Sequence, residues 1–145
     1  MKNPLAPLMF SAVFALLGAL VALYLLLHSL GYSSLVCPIA GCDKVQASEY
    51  SKILGIPVSA YGIAVFLLLL GTATYAILQE RPLETVAPKI LLAISSLGVL
   101  SYLYFTYLEA FVILAWCFWC VISSLMMVGV FICTLYLQRF KKEIL

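Results

Sequence analysis

A chain of 145 residues that is 66% hydrophobic and only 10% charged, with a mean hydropathy of +1.17, cannot clothe a soluble surface. Composition therefore places the protein in a membrane and leaves no room for a soluble catalytic domain. A formal net charge of +2, with no basic cluster before the C-terminal tail, gives no footprint for nucleic acid, and one domain, 1–145, is expected.

A helix needs about 20 apolar residues to cross a bilayer. Four stretches qualify, 7–30, 57–78, 88–108 and 113–137, so the expected fold class is an all-α membrane protein, a four-helix bundle. The first follows Lys2 as a signal peptide would. Its apolar run is longer than the ~7–15 residues of a signal core, and no small-residue cleavage site follows, so it is expected to stay as a span. Prolines open the second and third stretches, where a first helical turn tolerates them. Only Glu109 charges the join between the third and fourth, which predicts a tight, shallow turn there. Glu109 is expected at the water boundary without a partner.

Basic residues orient the spans. Lys2, Arg81, Lys89, Arg139, Lys141 and Lys142 fall on one side, Lys44 and Lys52 on the other. Both termini are thus expected in the cytoplasm, with the loop 31–56 and the turn at 109–112 outside. Disulfides persist on that side. No internal repeat links the two halves, which gives an inverted-repeat transporter no support.

In the loop, Cys37 and Cys42 enclose "PIAG". Pro38 and Gly41 are turn formers that can bring the sulfurs together, and a bridge closing so short a ring is expected to be easily reduced. "DKVQ" after Cys42 reads as a capping box, with Asp43 at the N-cap and Gln46 three residues on. It predicts a short amphipathic helix to about Leu54, ended by Gly55, with Ala47, Tyr50 and Leu54 on one face. Such a helix could lie on the membrane as a lid.

"CFWC" places Cys117 and Cys120 three apart at the start of the fourth span, on one helix face. A helix N-terminus favours a thiolate, and Cys117, expected to be the more exposed, is the candidate for a lowered pKa. Ser124 is expected one turn below Cys120, within reach of a ligand. The bland reading of the pair is two small buried hydrophobes. Zinc on four thiolates is weaker still, because the outer compartment oxidises thiols. Cys133 lies about 20 Å further along the helix and reads as a packing residue, His28 as interfacial. Trp116, Trp119, Tyr102, Tyr104 and Tyr107 suit an aromatic belt.

The ordered set of a loop cysteine pair, "GIPVSAYG" opening the second span and CxxC opening the last resembles the vitamin K epoxide reductase family, over nearly the whole chain. Related DsbB oxidases carry the two pairs in the opposite order. The resemblance implies a four-helix bundle around a quinone (ubiquinone, menaquinone or vitamin K). It implies a thiol:quinone oxidoreductase in which Cys37 meets a thioredoxin-fold (DsbA-like) protein and Cys42 passes electrons to Cys117 through a transient disulfide. Cys120 then sits against the quinone, Ser48 assists the relay, and Val58, Ser59, Tyr61 and Ser124 join Cys120 around the ring. Animal members carry asparagine at the position of Val58 and tyrosine at that of Ser124, so those two quinone contacts differ here. The partner is expected to be a separate protein and the host membrane bacterial or archaeal. Alternatives are a vitamin K epoxide reductase of the endoplasmic reticulum, a small metal-binding membrane protein and a structural subunit.

Overall fold

The computed structural model describes residues 3–32, 34, 36–37 and 41–144, without the side chains of Cys42, Asp43 and Ile144. Expectations resting on Lys2, on Pro38, on the Cys42 sulfur and on the Asp43 carboxylate lie outside the described residues. Among the described residues, four helices are long and apolar enough to span a membrane: α1 (Leu5–Ser29), α3 (Val58–Ile77), α4 (Ala87–Tyr107) and α5 (Phe118–Ile144). Between α1 and α3 lie α2 (Cys42–Ala47), a 3-10 turn and a two-stranded hairpin, β1 (Lys52–Ile53) and β2 (Ile56–Pro57). The fold is an all-α membrane bundle.

Helix α1 packs on α3 and α5, and α4 closes the ring against the same two helices. Without a hydrophobic force between helices in lipid, close packing has to come from small residues. Ser11, Ala15, Gly18, Ala19 and Ala22 form the buried stripe of α1, at the helical spacing of three and four residues. A Cβ on Gly18 would run into the Phe66 ring, and one on Gly98 would meet Met127 Sδ at 2.6 Å. Two of the buried hydroxyls are satisfied within their own helix, as hydrocarbon favours: Ser95 donates to Leu91 O at 2.6 Å and Thr134 to Val130 O at 2.7 Å.

The largest departure from expectation is between the third and fourth spans. There is no shallow turn at 109–112. Helix α4 runs on as a π-helical turn, Leu108–Ile113, and stops at Leu114, whose backbone is left-handed (φ 58°, ψ 35°). Residues 115–117 carry no helix, so the last span starts at Phe118 rather than at 113, and it continues to 144 rather than 137. A left-handed leucine cannot continue either helix, and hydrophobicity alone does not reveal it.

The loop helix is also shorter than expected. It starts after Gly41 and ends at Ala47. Ser48 is extended, and its hydroxyl donates to Val45 O at 2.7 Å, the local competition with helix that serine is prone to. After the 3-10 turn, Leu54 and Gly55 make a two-residue hairpin turn with positive φ at both positions, the geometry that suits strand twist. Ala47, Tyr50 and Leu54 therefore share no helix face. With Gly41 at the N-cap, the capping box dissolves and the Gln46 side chain is released for another use.

Candidate functional site

Cys117 does not lie on the face of α5; it caps it. Its carbonyl accepts from Val121 N at 3.0 Å, and its sulfur accepts from Cys120 N at 3.3 Å, the bond an N-cap side chain makes to the third helical residue. Gln46 reaches across from α2 and donates its amide to Cys120 Sγ at 3.6 Å and to Cys117 Sγ at 4.0 Å. Ser29 donates to the other end of that amide at 3.5 Å. Cys117 is fully buried and Cys120 the partly exposed member of the pair, the reverse of the expected order. The thiol of Cys120, first, and then its N–H and the Gln46 amide hold the Cys117 thiol below its ordinary pKa. Burial and the nearby Glu109 carboxyl pull the other way.

The loop is held onto this pair by aromatic side chains. Trp119, between the two cysteines, donates its indole N–H to Val36 O at 2.6 Å. Its ring meets Tyr24 edge-on, centroids 5.2 Å apart, and the Tyr24 hydroxyl accepts from Val36 N at 2.9 Å. Both backbone groups of the residue before Cys37 are thus clamped. Cys37 is disulfide-bonded and packs against the small cluster of Val45 and Cys117, whereas Cys117, Cys120 and Cys133 are free thiols. The backbone of Gly41 passes so close that a Cβ there would lie 2.5 Å from Trp116 O. Tyr24→Phe and Trp119→Phe keep the rings but each remove a bond to Val36. Each should cost about 1 kcal/mol locally, read as faster hydrogen exchange of the Val36 amide with exchange in the four long helices unchanged.

Below the pair lies a cavity of about 450 Å³, within the usual range for small-molecule sites of ~300–1,000 Å³. Its roof is the loop, through Gln46, Ser48, Tyr50 and Ile53, and its walls come from α1, α3, α4 and α5. Polar groups are few. Tyr102 and Ser123 share a hydrogen bond of 2.6 Å, and Tyr61 donates to Ile53 O at 3.1 Å, tying the hairpin to α3. Ser59 Oγ is buried with no hydrogen-bond partner. The reason is local: a helical serine usually bonds the carbonyl four residues back, and for Ser59 that residue is Gly55, in the hairpin turn.

Of the residues singled out in the sequence, Cys120, Ser48, Val58, Ser59 and Tyr61 line this cavity. Cys117 and Cys37 lie just above it, packed in one cluster, and Cys133 is not among the lining residues. Ser124 is a correction. Its hydroxyl turns back to Val121 O at 2.7 Å, and Ser123 takes the wall position instead, because one residue on a helix is a rotation of about 100°. Glu109 is a second correction: it is 5% exposed, accepts from Cys117 N at 3.4 Å and lines the cavity. A lone acid in an apolar span was itself the signal. Tyr24, Gln46 and Tyr102 had no such flag, since their importance depends on what the fold brings to them.

Two cysteines at a helix start, a clamped loop carrying a disulfide-bonded cysteine and an apolar cavity beneath are the groups that thiol chemistry next to an apolar ligand would use. No curated protein matches the chain. A model of the vitamin K epoxide reductase family matches residues 9–135, and the chain belongs to that family of membrane redox enzymes.

Proposed function

We propose that the protein is a thiol:quinone oxidoreductase, taking two electrons from a thioredoxin-fold protein and delivering them to a membrane quinone in support of disulfide-bond formation. The observation that carries this reading is a free Cys120 on the wall of an apolar cavity, its pair partner Cys117 packed against the loop cysteine Cys37. The residues present fit a quinone. The cavity accepts a flat ring, and the unpartnered Ser59 hydroxyl, at the start of α3 where backbone N–H groups lack intrahelical acceptors, offers a donor for a ring oxygen. Val58 and Tyr61 flank it, and the Tyr102–Ser123 pair supplies a second polar edge. A quinone bound there supplies a sink for two electrons and two protons.

The chain's own part is positioning and thiolate activation. A partner thiolate attacks the disulfide at Cys37 and leaves oxidised, so the loop pair is reduced. Cys42 then attacks Cys117 in the oxidised inner pair, forming a Cys42–Cys117 bond and releasing Cys120 as thiolate. Cys37 resolves that bond, which restores the loop disulfide and leaves the inner pair reduced. That Cys37 is disulfide-bonded while the Cys117 and Cys120 thiols are free supports reading the inner pair as the one left reduced. Ser48 keeps its place through Val45 O and shapes the roof. The distribution of basic residues supports termini in the cytoplasm and cysteine pairs outside, and the membrane is proposed to be that of a bacterial or archaeal cell.

The test uses purified protein in lipid nanodiscs, a reduced thioredoxin-fold protein and a soluble quinone, with quinone absorbance followed in time. One quinone should be reduced per disulfide formed, and Cys37→Ala should stop both. Dithiol oxidation without quinone reduction would sink the reading.

A further inference from the structure

Among the described residues lining the cavity, Glu109 is the one that can carry a full charge other than by thiol or phenol ionisation, and no Lys, Arg or His lies beside it there. A carboxyl kept in an apolar span without a cation is costly and is retained for use. Its placement is specific. The π-helical turn holds it, and π turns recur at functional sites. Its carbonyl accepts from the Leu114 and Ala115 N–H groups, the latter at 3.2 Å. Its carboxylate meets the N–H of Cys117 at 3.4 Å while also facing the cavity. It therefore bonds the backbone N–H of Cys117, the residue whose thiol would give up a proton, and faces the cavity below the pair.

We propose that Glu109 is the proton carrier between the Cys117–Cys120 pair and the acceptor in the cavity; this rests on the thiol:quinone reading above. Oxidation of the pair breaks two S–H bonds and forms one S–S bond, releasing two electrons and two protons. Both electrons go to the quinone. The Glu109 carboxylate takes the proton of Cys117 Sγ and gives it to the quinone oxygen nearest it, returning to its starting form. Cys120, which faces the cavity itself, releases the second proton there directly. Quinone and dithiol thus become quinol and disulfide with no proton left over. The ionisable side chains near Glu109 are those of Cys117, whose N–H it accepts from, and of Cys120, Tyr50, Tyr61 and Tyr102 on the same cavity wall. Helix α2, packed on the π turn, adds the exposed Lys44.

Glu109→Gln preserves size and can still accept from Cys117 N, but cannot carry a proton. Quinone reduction should fall on the order of 100-fold, the usual scale of a lost acid–base group, and the pH–rate profile should lose one limb. Exchange between the loop disulfide and a reduced thioredoxin-fold protein should be unaffected. A readout without quinone is infrared difference spectroscopy between the reduced and oxidised inner pair. The wild type should show a carboxylic acid carbonyl band that is missing in Glu109→Gln. A Glu109→Gln protein with the wild-type profile, or one slowed equally at every pH with the wild-type infrared difference, overturns the proposal. Failure of the wild type itself to reduce quinone would instead overturn the underlying reading.

Discussion

The Cys120→Ala protein is expected to exchange disulfides at its loop and to pass no electrons to a quinone, turnover falling to the uncatalysed background. Cys120 is the free sulfur on the cavity wall, and its loss removes the two-thiol reductant altogether rather than slowing one step. Single losses in a unit that acts together cost as much as losing the whole, so Cys120→Ala should match the double Cys117→Ala/Cys120→Ala variant within a few-fold. The measurement is quinone absorbance, with alkylation mass-tagging to count the remaining thiols. Stability should change little, because alanine keeps the Cys120 N–H that the Cys117 cap uses and the Cys120 side chain is only partly buried. Residual turnover well above background would remove Cys120 from the electron path.

The second large effect separates the two duties of Cys117. Its sulfur caps α5, and in the oxidised inner pair the same sulfur is the one that Cys42 is proposed to attack. Cys117→Ala should lose turnover and also about 1 kcal/mol of stability, the usual cost of a missing cap. Cys117→Ser should lose turnover equally while keeping the cap, since serine is a preferred N-cap residue. Thermal unfolding and trapping of the Cys42–Cys117 disulfide read the two duties independently. The lowered pKa of Cys117 adds a pH signature. With its folded-state value below the unfolded one, attack of the reduced Cys117 thiolate on the loop disulfide, the reverse of the resolving step, should rise with pH and level off below the ordinary thiol value of about 8.5. The stability linked to this ionisation is full above the unfolded value and is lost as pH falls through the folded one. Cys117→Ser should show neither dependence.

Much of this architecture is legible from residue order. Four apolar runs predict four spans because bilayer thickness demands a length and hydrocarbon demands a composition. Chain order also expects the CxxC at the start of the last span and Ser59 and Tyr61, implied by the family resemblance, at the start of α3, and the structure places Cys120, Ser59 and Tyr61 on one cavity wall. Ser124 fails for the same kind of reason that the spans succeed: periodicity places a residue along the helix axis better than around it, and Ser123 took the wall. Glu109 was misread because an acid near a predicted span end looks solvated. The helix did not end there but ran on as a π turn and carried the acid inside.

The amino-acid sequence by itself determined that the chain crosses a membrane, how many helices are long and apolar enough to do so, and that a CxxC opens the last of them. These follow from hydrophobicity and order, which are local and additive along the chain. Only the tertiary structure decided that Cys117 is a buried helix cap, that Gln46 and Glu109 face the cysteine pair, and that Tyr24 and Trp119 clamp the residue before Cys37. Those relations depend on a left-handed turn at Leu114 and a break at Ser48. A few dihedral angles there redirect whole segments, and contacts between residues more than 70 positions apart, Gln46 with Cys117 and Cys120, exist only once the helices have packed.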